Sequence, residues 1–108
     1  MDKNSLIKLC LFDDDAVETH PFKEDRYKEI IVMRHKKSEK WFALIFYLED
    51  KLYINLKCNP ADAAILKDEY PFITPAWHMN KKHWIKVDVK KAPRDLLDAL
   101  IRTSFDLT

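Results

Sequence analysis

The fold is decided by residues 41–58, whose sequence is WFALIFYLEDKLYINLKC. The run Trp41–Leu48 is apolar throughout, which is typical of a central strand covered by helices on one face and partly shielded on the other. A polar turn follows at 49–51, and Leu52–Cys58 then alternates apolar and polar side chains, as a half-exposed antiparallel strand does. This stretch therefore predicts a β-hairpin within an antiparallel sheet.

Further elements are predicted on both sides of the hairpin. Upstream, a helix and two strands are expected over residues 4–12, 17–22 and 30–35, with Asn4 or Ser5 as the N-cap of the helix. Downstream, we expect a helix from Pro60 to Tyr70 and then an irregular stretch over 72–83. A strand over 84–89 and a final helix that starts at Pro93 follow. The order predicts an α+β fold, a two-layer sandwich with a mostly antiparallel sheet and helices on one face.

The composition excludes several classes of function. The chain has 108 residues, which is enough for one domain but not for two. It contains no glycine, so phosphate-binding Gly-rich loops, dinucleotide fingerprints, calcium-binding helix-loop-helix turns and nucleophile elbows are excluded. Its tight turns must therefore place Asp, Asn or Lys in the left-handed region, or use longer loops. The formal net charge of +1 gives no field over the whole molecule that would attract nucleic acid or a membrane.

Cysteine usage and the N-terminus predict a cytoplasmic location. Cys10 and Cys58 form no CxxC pair, and we interpret them as buried thiols. Residues 1–12 lack the basic and apolar regions and the cleavage signal of a secretory leader. The longest apolar run, 41–48, is far shorter than the roughly 20 residues that cross a bilayer, so we expect no membrane partner.

Candidate functional residues are concentrated in residues 74–84, TPAWHMNKKHW. Across 78–94, six Lys or Arg residues accompany a single acid, Asp88, which predicts one basic region on a near-neutral protein. Lysines meet phosphates, while Asn and His reach base edges or sugars, so the pattern is typical of a nucleic-acid contact. The plainer interpretation is that Trp77 and Trp84 anchor a loop to the sheet and that the lysines are simply solvated.

Two other classes of function stay open beside nucleic-acid binding. A protein-interaction or chaperone-like module of unknown partner would use exposed Trp41, Tyr47 and Tyr53, although cross-strand packing also explains these side chains. An enzyme or metal site is the least favoured class. His78 and His83 lack a standard zinc spacing, and no Cys or Ser has an identifiable base partner. We therefore expect no catalysis, no cofactor and no metal.

Three stretches in order resemble the YjbR/MmcQ family of small bacterial proteins. They are KWFALIF (40–46), NLKCNPADAAILKDEYPFITPAWHMNKKHW (55–84) and LIRTSFDLT (100–108), and the resemblance covers nearly the whole chain. It implies a compact α+β fold with a curved antiparallel sheet, similar to frataxin-like and secretion-chaperone-like layouts. It also implies a DNA-binding protein with two protruding hairpin wings. Together with the basic residues, this predicts a non-enzymatic protein that contacts the phosphate backbone of DNA through these wings.

The resemblance assigns candidate DNA-binding residues to these wings. One wing corresponds to the HMNKKHW stretch at 78–84, and the second to the basic hairpin tip at 36–40. The candidates for DNA contact are Asn80, Lys81, Lys82, His83, Lys86, Lys36 and Lys37. The expected partner is double-stranded DNA, bound weakly and in a salt-dependent manner, and the oligomeric state is left open.

Overall fold

In a computed structural model, the described residues, 1–76 and 78–108, form three helices and six strands. In chain order these are α1 (Lys3–Cys10), β1 (Ala16–Thr19), β2 (Ile31–His35), β3 (Trp41–Leu48), β4 (Lys51–Lys57), α2 (Pro60–Glu69), β5 (Ile73–Pro75), β6 (Trp84–Asp88) and α3 (Arg94–Leu107). The strands form one sheet in the order β1-β2-β3-β4-β6-β5, and every neighbouring pair is antiparallel. The predicted α+β class with a mostly antiparallel sheet is confirmed.

The central hairpin turns without glycine. A two-residue turn joins β3 to β4, and its residues Glu49 and Asp50 have φ angles of 50° and 65°. Two consecutive positive φ angles are the mark of the type I′ turn, whose twist matches that of the flanking strands. Glu39, at the tip between β2 and β3, has a φ of 65°. The expectation that non-glycine residues occupy the left-handed region holds, but two of these three positions are Glu rather than the expected Asp, Asn or Lys.

The three helices cover one face of the sheet and enclose the main core with it. Helix α3 lies against β3 and β4 and buries Leu97, Ile101 and Ser104, in agreement with its predicted apolar spacing. The Ser104 Oγ donates a hydrogen bond to the Phe42 carbonyl at 2.5 Å and accepts one from the Lys57 N–H at 2.8 Å. One hydroxyl thus ties the helix to both central strands. In the described part of the chain, no helix combines the length and apolarity that a bilayer span requires.

The structure corrects several predicted element bounds. Helix α1 begins at Lys3, and its N-cap is Asp2 rather than Asn4 or Ser5. The Asp2 Oδ1 accepts the Ser5 N–H at 2.8 Å, and its negative charge also suits a helix N-terminus. Strand β5 lies within the stretch 72–83 that was expected to be irregular, because pairing with β6 orders this short segment.

The opposite face of the sheet, here called the open face, is covered only in part. Strand β1 ends at Thr19, and the segment 20–30 then folds back over this face instead of continuing as the predicted strand to Phe22. A second, smaller buried cluster forms there from Ile30, Val32, Leu44 and Phe46. Partly buried neighbours pack against it, namely Phe22, Tyr27, Trp41, Leu48, Tyr53 and Met79. The apolar character of both faces of β3 is thereby explained.

Candidate nucleic-acid interface

The turn that precedes β6 carries four of the candidate residues, Asn80, Lys81, Lys82 and His83, and all four are exposed. The Asn80 Oδ1 accepts the Lys82 N–H at 2.9 Å, and the Asn80 carbonyl accepts the N–H groups of His83 and Trp84 at 3.1 and 2.9 Å. An Asn side chain that bonds the backbone two residues ahead is a common way to fix a tight turn. The Asn80 carbonyl oxygens are therefore engaged within the turn, while both lysine ammonium groups point to solvent.

Strand β4 holds this turn in place. The Cys58 N–H donates to the His83 carbonyl at 2.7 Å, and β6 then pairs with β4 along its length. Lys86, opposite Asn55 in this register, lies on the open face with its Nζ 4.9 Å from the centroid of the Tyr53 ring. This distance is within the range of a cation–π contact. Lys86 thus continues the positive charge of the turn onto the open face.

The second candidate group, Lys36 and Lys37, lies at the same end of the sheet as the 80–83 turn. Strands β2, β3, β4 and β6 are consecutive antiparallel neighbours. The C-terminal end of β2 and the N-terminal end of β6 therefore lie at the same end of the sheet. With strands about 4.8 Å apart, the hairpin tip and the turn are separated by roughly 10–15 Å. The topology therefore brings together two lysine groups that are more than 40 residues apart in the sequence.

An acidic segment, residues 13–15, packs against the hairpin tip. The Asp15 carbonyl accepts the Lys36 N–H at 2.6 Å, and the Asp15 Oδ1 accepts the Lys37 N–H at 3.1 Å. The other Asp15 oxygen lies 3.0 Å from the His35 Nδ1. Desolvation raises the pKa of Asp15, but the hydrogen bonds from His35 and Lys37 and their charges outweigh it, and the pKa is lowered overall. The ionised Asp15 offsets part of the positive charge at this tip.

The remaining cations of the basic segment lie at the opposite end of β6. Lys90, Lys91 and Arg94 follow this strand, whereas the lysine pair of the 80–83 turn precedes it, and five residues of extended chain span roughly 17 Å. Lys90 and Lys91 border a surface depression together with three acidic side chains, those of Asp2, Asp50 and Asp88. The prediction of one basic region over residues 78–94 is wrong, because a strand carries its two halves to opposite ends of the sheet.

The lysines of the 80–83 turn and of β6 form no ion pair with the described residues, and the same holds for Lys90 and Lys91. Within residues 1–76 and 78–108, no carboxylate oxygen lies within 4.0 Å of the Nζ of Lys81, Lys82 or Lys86. Unpaired ammonium groups at a surface are available to phosphate oxygens without first breaking an internal ion pair.

A cleft on the open face, here called the aromatic cleft, adjoins the 80–83 turn. Its volume is about 350 Å³, and its walls come from Phe22, Tyr27, Ile30, Trp41, Leu44, His78 and Met79. The Phe22 and Trp41 rings meet edge to face, with centroids 6.1 Å apart, and the Tyr27 and His78 rings do the same at 6.4 Å. This cleft was not predicted from the sequence. The available signal was the pair of aromatic residues, Phe22 and Tyr27, in an otherwise highly charged loop.

The aromatic residues considered for protein interaction do not share one face. Trp41 and Tyr53 pack on the open face. Tyr47 pairs with Leu52, whose side chain belongs to the main core, so Tyr47 projects on the helix side of the sheet and is 47% exposed. Trp84 is half-buried at the start of β6, while Trp77 lies outside the described residues, so its predicted anchoring role stays a prediction.

The histidines occupy separate environments. His20 contacts Glu18 at 2.7 Å, and buried His35 joins Asp15 to the end of the chain through Thr108, whose Oγ1 lies 2.8 Å from the His35 Nε2. His83 belongs to the lysine-bearing turn, several residues beyond the cleft. In the part of the chain that the structure describes, no three His, Cys, Asp or Glu side chains are grouped so as to hold a metal ion.

The sequence matches one family model and two related proteins. The family model named YjbR matches residues 14–107. The chain is 33% identical over 95 residues to the uncharacterized protein YyaQ of Bacillus subtilis (strain 168), with 78% of this chain and 80% of YyaQ covered. It is 41% identical over 68 residues to the uncharacterized protein YbdF of Escherichia coli O157:H7, with 58% of this chain and 56% of YbdF covered.

Solved structures agree with the sequence matches. A crystal structure of a protein from Pseudomonas syringae has a TM-score of 0.87 at 30% identity and covers 100% of this chain and 99% of that chain. Protein DR2400 of Deinococcus radiodurans, whose domain is named DUF419, has a TM-score of 0.82 at 30% identity, covering 96% of this chain and 75% of that chain. Since a family model spans most of the sequence and structures at 30% identity share the fold, the chain belongs to the YjbR family.

Proposed function

We propose that this protein binds double-stranded DNA through its phosphate backbone, without catalysing a reaction. The contact surface is the end of the sheet that carries the 80–83 turn and the 36–40 hairpin tip, together with Lys86 on the open face. The observation that carries the proposal is the convergence of these two lysine groups at one end of the sheet. The turn contributes more than the tip, because Asp15 lies beside Lys37 but no carboxylate of the described residues pairs with Lys81 or Lys82.

The expected binding is non-specific with respect to sequence. Base readout in the major groove is usually performed by a helix or a β-ribbon that presents Arg, Asn or Gln to base edges. Here Asn80 uses its side-chain oxygen within its own turn, and apart from His83 the other contributors are lysines, which meet phosphates as point charges. A Kd of about 1 μM or weaker at physiological salt follows from this type of contact.

Salt dependence measures the number of phosphates that are contacted. If the five lysines at 36, 37, 81, 82 and 86 contact three to five phosphates, log K falls with log salt with a slope of about −2.7 to −4.5. A fluorescently labelled duplex, titrated at about 50 and 200 mM salt and followed by anisotropy, gives this slope directly.

Charge reversal tests whether the assigned surface is responsible. The double variant K81E/K82E should weaken duplex binding at low salt at least tenfold, because two phosphate contacts become repulsive. The matched control K90E/K91E makes the same change in net charge at the opposite end of β6, where the lysines adjoin three acids, and should bind nearly as the wild type does. Absence of binding at low salt, or equal losses in the two variants, would contradict the proposal.

A cytoplasmic location is part of this proposal, because bacterial DNA lies there. The two free cysteines, Cys10 and Cys58, are both buried, which suits a reducing compartment.

A protein-interaction module is the second candidate, and the observation that favours it is the aromatic cleft, with Trp41 in its wall. Exposed apolar surface of this kind also serves protein partners. Light scattering over a range of concentrations tests it: a dimer that forms with rising concentration and shields Trp41 from a fluorescence quencher would favour this candidate over DNA.

A further inference from the structure

We propose that the aromatic cleft binds one unpaired nucleotide of the same DNA whose phosphates contact the 80–83 turn. This inference rests on the proposed function and makes it more specific, since it names a DNA containing an unpaired base as the preferred substrate. It is argued from the shape and lining of the cleft, from the guanidinium groups over two of its wall rings and from its continuity with the 80–83 turn.

The size and lining of the cleft suit a single flat ring system. A volume of about 350 Å³ is at the lower end of the roughly 300–1,000 Å³ that is typical of small-molecule sites. Phe22, Tyr27 and Trp41 present ring surfaces and edges, and the rest of the lining is largely aliphatic. Aromatic side chains accept any nucleobase because every base has a π face.

Two guanidinium groups lie over aromatic rings of the cleft wall, although neither arginine lines the cleft itself. The Arg34 Cζ is 5.6 Å from the centroid of the Trp41 ring, and the Arg26 Cζ is 5.6 Å from that of Tyr27. Both rings belong to the cleft wall. No carboxylate of the described residues lies within 4.0 Å of either guanidinium. The ligand that matches this surface has a flat apolar body and a negative charge, as a nucleotide has.

The cleft is continuous with the 80–83 turn. His78 and Met79 line it, and Asn80, Lys81 and Lys82 follow directly in the chain. Because consecutive Cα atoms are about 3.8 Å apart, the Cα of Lys81 lies within about 8 Å of the Cα of Met79. A base in the cleft therefore has its backbone phosphates next to the lysine pair.

This arrangement selects an unpaired base over a paired one. A base within an intact duplex is stacked on both sides, and bringing it into a protein site requires its extrusion, which costs less free energy when the base is already unpaired. Stacking in an aromatic site then adds affinity that the fully paired duplex does not gain.

The test compares three probes by anisotropy and competition. They are a labelled duplex of about 20 base pairs, the same duplex with one bulged thymidine, and free thymidine monophosphate as a competitor. We expect the bulged duplex to bind about tenfold more tightly than the paired one. The monophosphate alone, lacking the neighbouring phosphates, should displace it only at millimolar concentration. Displacement by micromolar monophosphate would assign the cleft to a free nucleotide instead of a DNA strand and overturn the inference.

Variants connect the preference to the cleft. M79W fills the cavity and Y27L removes a ring while keeping apolar cover; either variant should reduce the ratio of bulged to paired affinity to about one. Y47L, which removes an exposed tyrosine from the other side of the sheet, is the matched control and should keep the tenfold ratio. A ratio near one in the wild type, or one that Y27L and M79W leave at ten, overturns the inference.

The outcomes separate this inference from the proposed function. If duplex binding depends on Lys81 and Lys82 but the bulge adds no affinity, only the role of the cleft is refuted. If neither duplex binds, or K81E/K82E has no effect, the proposed function itself is refuted. A concentration-dependent dimer that M79W abolishes would assign the cleft to a second copy of the chain and refute the nucleotide.

Discussion

Replacing Ser104 by Ala should destabilise the fold by about 2–4 kcal/mol, far more than an ordinary Ser-to-Ala change in a helix. The Ser104 side chain is fully buried and makes two hydrogen bonds, one to the Phe42 carbonyl and one from the Lys57 N–H. Both partners are backbone groups, so the substitution removes the hydroxyl with which the two main-chain groups form hydrogen bonds. A buried polar group left unsatisfied costs about 1–3 kcal/mol, so two such groups cost about 2–6 kcal/mol, and the lower part of this range is expected because the hydrogen bond of the Lys57 N–H is only partly buried.

Urea unfolding followed by tryptophan fluorescence measures this effect. A domain of this length has a total stability of roughly 5–15 kcal/mol, so the loss should shift the midpoint visibly while leaving the slope m unchanged. Thr103→Ala is the control, because Thr103 is the exposed neighbour on the same helix, and its change should be within about 0.5 kcal/mol. If S104A costs no more than T103A, the two hydrogen bonds do not hold α3 to the central strands.

Three further predictions follow from the turns and the buried groups. Because Glu49 and Asp50 occupy left-handed conformations, E49N/D50G should stabilise the protein by about 1 kcal/mol in urea unfolding, and a loss of stability would contradict the type I′ assignment. The lowered pKa of Asp15 means that its stabilising effect is present above about pH 4 and is lost as the pH falls through the folded-state value, so melting temperatures should depend less on acid pH in D15N. Burial raises the pKa of the Cys10 thiol to about 12, so mass spectrometry should find Cys10 unmodified by iodoacetamide in the native protein near pH 8 and alkylated after unfolding.

Local sequence patterns were sufficient to predict the bounds of β3 and the start of α2. The bounds predicted for β3 are those observed, and Pro60 begins α2 at the predicted position. Both elements are indicated by consecutive residues. Strand β3 is an uninterrupted apolar run, and α2 begins at an Asn-Pro pair and is followed by a second proline. The resemblance to the YjbR family is confirmed by the match over residues 14–107.

Features that depend on contacts between distant segments were not predictable in this way. Phe22 looked like the end of a strand, but its ring packs on Trp41, which lies across the open face and 19 positions later. Likewise, nothing in the acidic run at 13–15 indicated a contact with the hairpin tip, and only the pairing of β1 with β2 brings Asp15 to the lysines of that tip.

The candidate site was predicted in part for the same reason. The sequence pattern indicated the lysines of the 80–83 turn, and these are exposed in the structure. It also joined them to Lys90 and Lys91, because charge counted along a sequence ignores the length of the strand between. Whether these residues contact DNA stays a prediction until the charge-reversal variants are measured.

The two outermost strands have a consequence for self-association. Strand β1 has four residues and β5 only three, the last of which is Pro75, which has no N–H to donate. Edge strands that are short or contain proline offer few backbone hydrogen bonds to another chain. This protects natural sheets from edge-to-edge association. Association of copies of this protein through the edge strands of the sheet, and amyloid-like growth from these strands, are therefore disfavoured.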